Sequence, residues 1–274
     1  MKCTKAHGLG NDYLFADAAE PGVSRDAGWI TRVCDRRYGI GADGVILLRR
    51  RPDGAVDMLM HNADGSVGLL CGNGLRAAAL VAKRWGWTPG ETQVFHTGAG
   101  PREAQLLGVD RAASQATVRV DMGLPSVGEG ALGFAGQPRM EGPAAGLEWL
   151  PVSMGNPHLV TFLKAHPDTQ PWRSWGPPAS GTSSVKGGVN AGFAFVESPH
   201  IIHLRVWERG SGPTLACGSG ACAAFAAARH KGLASPQAEL HLDGGILTLE
   251  EGTDGRLWMT GPAQIAFEGL INPA

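Results

Sequence analysis

Cys71-Gly72-Asn73-Gly74-Leu75-Arg76-Ala77-Ala78-Ala79 and Cys217-Gly218-Ser219-Gly220-Ala221-Cys222-Ala223-Ala224-Phe225 are two versions of one segment, 146 residues apart in a chain of 274. Each leads into an Ala-rich stretch, roughly Gly74 to Arg84 and Ser219 to Lys231, with the composition and length of a buried helix of about three turns. Solenoid repeats run only about 20–50 residues, so one repeat on this scale marks two homologous halves. The expectation is a pair of duplicated domains facing each other across a pseudo-two-fold axis. Their boundary falls near residues 115–125 or in the Gly/Pro/Glu-rich window 142–148.

Working outward, short β-rich runs recur on both sides of each repeat: Val56–Met60, Gln93–His96, Thr117–Val120, Leu159–Leu163, Gly192–Val196, Ile201–Trp207 and Ile246–Leu249. Gly, Pro or Asp punctuates most of them, which predicts a strand-dominated protein with few, central helices. A further short helix is expected through Ile30–Cys34, with Ser24 as its cap. With 43% hydrophobic and 18% charged residues the chain is globular, and its length suits about two domains.

Several function classes drop out. The formal charge of −1 and the absence of a basic stripe argue against nucleic acid, and Arg49–Arg51 reads as the solvated end of a strand. The longest small-apolar run, Ala221–Ala228, is far below the ~18–20 residues that cross a bilayer, and no signal peptide is visible, so a soluble cytoplasmic protein without a membrane partner is expected. The segment Gly39-Ile40-Gly41-Ala42-Asp43-Gly44 spells G-x-G-x-x-G. It precedes a strand, Val45–Leu48, instead of opening a helix, and so reads as a tight turn rather than a nucleotide site. Five cysteines without a C-x-x-C pair are expected to stay reduced, with Cys3, Cys34 and Cys222 structural.

The chemistry is read from the repeat. A Cys-Gly-x-Gly segment at a helix start places sulfur beside unpaired N–H groups and the positive dipole end, where thiolate is favoured. The same N–H groups suit a carboxylate. If both helix starts converge on one carboxylate, the two sulfurs flank the carbon that carries it. That is the arrangement of a two-base racemase: one sulfur removes a proton from one face and the other returns a proton to the opposite face, with no metal and no cofactor. A redox cysteine pair and a non-catalytic amino-acid-binding protein are the competing readings. A resolver thiol would not need matched anion sites, and a binding protein would not need both thiols.

The residues resemble the diaminopimelate epimerases. The resemblance runs through Lys5-Ala6-His7-Gly8-Leu9-Gly10-Asn11-Asp12, Asp35–Gly44, Asn62-Ala63-Asp64-Gly65-Ser66, Gly155-Asn156-Pro157-His158, Asn190 and Trp207-Glu208-Arg209-Gly210, as well as both cysteine segments. It implies an α+β fold of two pseudo-symmetric domains, each a β-barrel-like sheet wrapped around a central helix, with the active site in the cleft between them. The domains would be 1–118 plus 263–274, and 119–262. It also implies an isomerase that interconverts LL- and meso-2,6-diaminopimelate without pyridoxal phosphate, in lysine and peptidoglycan precursor synthesis, and a homodimer. Cys71 and Cys217 would be the acid/base pair, assisted by His158 and Glu208. Backbone N–H groups at Gly72, Asn73, Gly218 and Ser219 would hold the reacting carboxylate. Asn11, Asn62, Asn156, Asn190, Glu208 and Arg209 would hold the rest of the substrate. Departures from the family pattern at Gly44, His61, Leu69, Leu70, Ala77 and Pro213 leave a racemase of another amino acid, such as histidine or proline, as the alternative.

Overall fold

The computed structural model describes residues 1–110 and 112–271. It divides into two compact units: Met1–Asp121 with the returning segment from Thr260, and Met122–Met259. The 142–148 window carries a single 3-10 turn, Gly142–Ala144, inside the second unit.

In the first unit, Lys2–Gly8 and Asn11–Asp17 form an antiparallel hairpin, and Asn11–Asp17 then pairs in parallel with Gly44–Arg50. Helix α1 (Ala27–Cys34) makes the crossover that a parallel pair requires. Gly44–Arg50 pairs antiparallel with Val56–Asn62, which pairs in parallel with Thr92–Thr97 across helix α2 (Gly72–Arg84). Thr92–Thr97 continues antiparallel to Gly100–Val109, and that strand to Gln115–Gly123. The last strand, Leu257–Leu270, joins Gln115–Gly123 to Lys2–Gly8 and closes the ring.

The second unit repeats this order step for step. Leu150–Ser153 and Pro157–Phe162 are antiparallel; Pro157–Phe162 is parallel to Asn190–Ser198; that strand is antiparallel to Ile201–Glu208. Ile201–Glu208 is parallel to Gln237–Leu242, itself antiparallel to Gly245–Glu251. The two parallel crossovers are helix α3 (Trp172–Ser180) and helix α4 (Gly218–His230).

Helices α2 and α4 fill the two units. A ring of about eight strands has room for little more than side chains, whereas a helix with its side chains is about 10–12 Å wide. The Ala-rich composition resolves this conflict: Ala77–Ala79 and Ala82, and Ala221, Ala223, Ala224 and Ala226–Ala228, are all buried. Adding bulk there would overpack the ring at a cost of about 1–3 kcal/mol per position.

Helix α1 starts two residues later than a Ser24 cap would place it: Asp26 accepts from the Trp29 N–H, while Ser24 supports the turn by accepting from Asp26 N. Helix α3 is not among the helices expected from the sequence, and it carries Pro177 and Pro178 in its interior. It forms because Trp172, Gly176 and Ala179 are buried, with Trp172, Trp149 and Phe193 sharing one core. The strand reading of Val45–Leu48 holds, and the Gly-rich segment before it is irregular chain following a turn at 36–38 and opens no helix, with Gly44 already in the strand. Arg49 and Arg50 are exposed at the end of their strand, with Arg49 paired to Asp57 at 2.5 Å.

Candidate active site

Each cysteine sits at the N-cap of its unit's central helix in extended backbone conformation. Cys71 accepts from Gly74 N at 3.4 Å and Cys217 from Gly220 N at 3.3 Å. The sulfur thus takes the place that Ser or Asp holds in an ordinary cap, at the end of the helix where N–H groups point outward. Gly72, Asn73 and Gly218 are buried in the first turns, and Ser219 is half-buried. Burial instead raises the thiols of Cys3 and Cys34, the latter to about 11, which leaves them neutral packing groups of the first unit, and Cys222 is buried in helix α4 of the second.

In the first unit the Cys71 thiol donates to Asn11 Oδ1 at 3.3 Å, and Asn73 Nδ2 donates to the same oxygen at 3.3 Å. Asn11 Nδ2 donates to Asp43 Oδ2 at 2.8 Å. Asn73 is fixed from its other side by Arg76, a fully buried guanidinium that donates from Nη2 to Asn73 Oδ1 at 3.0 Å and from Nε to Pro262 O at 3.2 Å. Asn62 belongs to a neighbouring turn, where its amide donates to Ser66 Oγ at 2.9 Å.

In the second unit Asn156 Nδ2 donates to Ser219 Oγ at 3.2 Å, and Ser219 Oγ lies 3.7 Å from the Cys217 sulfur. Asn156 Oδ1 faces His158 Nε2 at 3.0 Å. Burial, seconded by the positive charge of Arg209, pushes His158 down to about 3, so the ring is neutral and donates through Nε2–H. Asn190 pairs with His158 across the parallel strands and accepts from Arg209 N at 2.9 Å. Glu208 accepts a short hydrogen bond from Thr214. Arg209 itself is exposed and lines a cavity of about 630 Å³ with Lys186, Gly188 and Trp207.

The structure therefore links Cys71, Asn73 and Asn11 in one unit, and Cys217, Ser219, Asn156 and His158 in the other, with Asn190, Glu208 and Arg209 beside the second group. Sequence reasoning missed Asp43, which lay inside the rejected G-x-G-x-x-G motif, and Arg76, which sits in the repeat itself. At the departures, Leu69 and Pro213 are exposed, Ala77 is buried, and burial lowers the pKa of His61.

Against known proteins, residues 3–127 and 150–266 match the diaminopimelate epimerase family. The chain belongs to that family. It is 36% identical to the diaminopimelate epimerase of Prochlorococcus marinus strain MIT 9313, with 100% of this chain and 93% of that protein covered. It is 39% identical to that of Desulforudis audaxviator strain MP104C, covering 98% of both. A hydroxyproline epimerase structure from Agrobacterium vitis, at 13% identity, shares the fold with a TM-score of 0.74 over 99% of this chain and 90% of that one. Membership makes the chain an amino-acid epimerase, an isomerase acting on a small molecule. Among the described residues, no helix is long and apolar enough to cross a membrane.

Proposed function

We propose that Cys71 and Cys217 act on opposite faces of one α-carbon of 2,6-diaminopimelate and interconvert its LL and meso forms. The observation that carries this reading is the double cap: both cysteines start equivalent helices, each with its sulfur on the N–H three residues on. One sulfur enters as thiolate and removes the α-proton. The other, as thiol, delivers a proton to the opposite face, and the protonation states are exchanged for the return direction. The N–H groups of Gly72, Asn73, Gly218 and Ser219 hold the reacting carboxylate and stabilise the charge that develops on it as the proton leaves.

His158 and Glu208 assist the thiols in this scheme. The neutral His158 ring acts through its hydrogen bond to Asn156 rather than as a charged acid. Asn11, Asn62, Asn156, Asn190, Glu208 and Arg209 suit a diamino diacid, because a guanidinium can fork onto a distal carboxylate and a carboxylate can take a distal ammonium. The chemistry needs no metal or cofactor. By the family resemblance the enzyme serves lysine and peptidoglycan precursor synthesis in the cytoplasm as a homodimer, which size-exclusion with light scattering tests.

Incubation of the purified protein with LL-diaminopimelate in D₂O should place deuterium at the α-position and yield the meso isomer. Retention of protium with no meso product rejects the proposal. Parallel incubation with proline and histidine separates it from a racemase of another amino acid.

A further inference from the structure

We infer that Asp43 is a positioning residue that fixes the direction of the Asn11 amide and thereby makes Cys71 the sulfur that keeps its proton at rest. The inference rests on the epimerase reading for its consequence, although its geometry lies wholly within the first unit.

A carboxylate only accepts hydrogen bonds, and a guanidinium only donates them. Asp43 Oδ2 therefore faces the amide nitrogen of Asn11, at 2.8 Å, and also takes Asp12 N at 3.1 Å. Its other oxygen is tied to Arg36 Nη2 at 2.8 Å, and Arg36 in turn holds Asp12 at 2.6 Å. Lys5 pairs with Asp12 at 2.6 Å, so the carboxylate sits in a braced set of charges. On the far side, Arg76 obliges Asn73 to present its oxygen inward and its nitrogen toward Asn11. Both ends of the chain of hydrogen bonds are thus dictated, and the Asn11 oxygen has one orientation left: toward Cys71 at 3.3 Å.

An amide oxygen beside sulfur stabilises S–H and repels S⁻. The Cys217 side is built differently. The neutral His158 ring takes the Asn156 oxygen, which turns the Asn156 nitrogen onto Ser219 Oγ. The Ser219 hydroxyl, already accepting there, has its hydrogen available for the Cys217 sulfur, next to the Gly220 N–H. Each sulfur receives one backbone N–H, from Gly74 or Gly220; beside it the first half sets an amide oxygen, which can only accept, and the second a hydroxyl, which can donate. A two-base enzyme needs unlike protonation states at the start of each turnover, and this asymmetry assigns them.

Alkylation by iodoacetamide across about pH 5 to 10, followed by mass spectrometry, reads each thiol through its thiolate fraction. Cys217→Ser isolates Cys71, and Cys71→Ser isolates Cys217, so that neither midpoint is coupled to the other sulfur. The charged groups of the hydrogen-bonded set that leads to Cys71 through Asn11 and Asn73, namely Lys5, Asp12, Arg36, Asp43 and Arg76, stay in place in both backgrounds. The Cys71 midpoint is expected about one pH unit above that of Cys217. Asp43→Asn and Asn11→Ala, each on Cys217→Ser, should lower the Cys71 midpoint by roughly half to one unit. Asp43→Asn added to Asn11→Ala should lower it no further.

If Asp43 acts by its charge alone, its effect persists without Asn11 and the inference is overturned. A Cys71 midpoint at or below that of Cys217 also overturns it, and this comparison requires neither the Asp43 nor the Asn11 variant to fold. The α-proton exchange assay on the unmodified protein decides separately on function. Silence there with the stated midpoints removes the epimerase reading and leaves the Asp43 role intact, whereas exchange with unmoved midpoints removes the Asp43 role alone.

Discussion

The first unit's cysteine is braced by charge, and the second unit's by a neutral ring. At matching places in the strand pairing, Tyr13 lies opposite Gly44 and His158 opposite Asn190. In the two central helices, 146 residues apart, the buried cation Arg76 is answered by the thiol Cys222. Asn62 on one exit strand is likewise answered by Glu208 on the other. Duplication supplied two equal helix caps, and divergence around them made the two sulfurs unequal. Each direction of the inversion needs one thiolate and one thiol, and unequal sulfurs set which of the two forms the resting enzyme populates more.

The hardest test of the comparison removes the sulfurs one at a time. Cys71→Ala and Cys217→Ala should each reduce inversion by about 10³-fold or more, since a whole acid/base partner is lost. The informative readout is exchange without inversion: each variant should wash solvent deuterium into the substrate configuration that its remaining sulfur faces, and into that one only. Formation of meso product by either variant at well above about a thousandth of the parent rate breaks the two-face scheme.

Arg76 is the next lever. Arg76→Met removes the buried guanidinium that donates to the Asn73 and Pro262 oxygens, at about 1–3 kcal/mol for each bond lost, so a loss of roughly 3 kcal/mol is expected in urea unfolding. Cys222→Ala at the matching position should cost no more than about 1.5 kcal/mol, as a small buried volume change. Equal losses would mean that the first half is not braced as described.

These contrasts also show what could be read from the sequence. The repeat exposed both cysteines, their glycines and the doubled architecture, because each of those depends on a local pattern. Helix α3 was legible by another route. Moving Ala27–Cys34 forward by the repeat offset lands on residues 173–180, and α3 spans Trp172–Ser180, but the Pro177-Pro178 pair outweighs that signal in any local reading. Arg76 and Asp43 were not legible. An Arg in an Ala-rich helix reads as its solvated face, and an Asp in a Gly-rich turn as turn chemistry, until tertiary packing buries the one and aims the other.

The histidine on the second side makes its half depend on acidity. His158, held near 3 by burial, binds its proton more weakly when folded than when unfolded, where the ordinary value is about 6.5. The unfolded state therefore carries more protons between those limits. The contribution to stability is complete above about pH 6.5 and is lost as pH falls toward 3, by at most about 1.4 kcal/mol per pH unit. Urea midpoints measured between about pH 4 and 7 should show this slope, and His158→Gln should flatten it. An unchanged slope would take the proton linkage away from His158.

The smallest expected effect concerns the caps themselves, where the halves are closest to equal. A methyl group at Gly220 would lie 3.1 Å from both the Cys217 sulfur and Val206 Cγ2, so Gly220→Ala presses on the sulfur directly. At Gly74 the methyl group would meet the tip of Ile46 at 2.7 Å, with the Cys71 Cβ at 3.5 Å. Both changes should cost about 1–3 kcal/mol through overpacking. They should differ in turnover: Gly220→Ala displaces the reacting atom and lowers kcat beyond what its stability loss explains, whereas Gly74→Ala moves an Ile tip away from the sulfur and leaves kcat closer to the parent. Equal losses of kcat would show that Ile46, too, transmits strain to its cysteine, and the contrast between the two halves would then not extend to the caps.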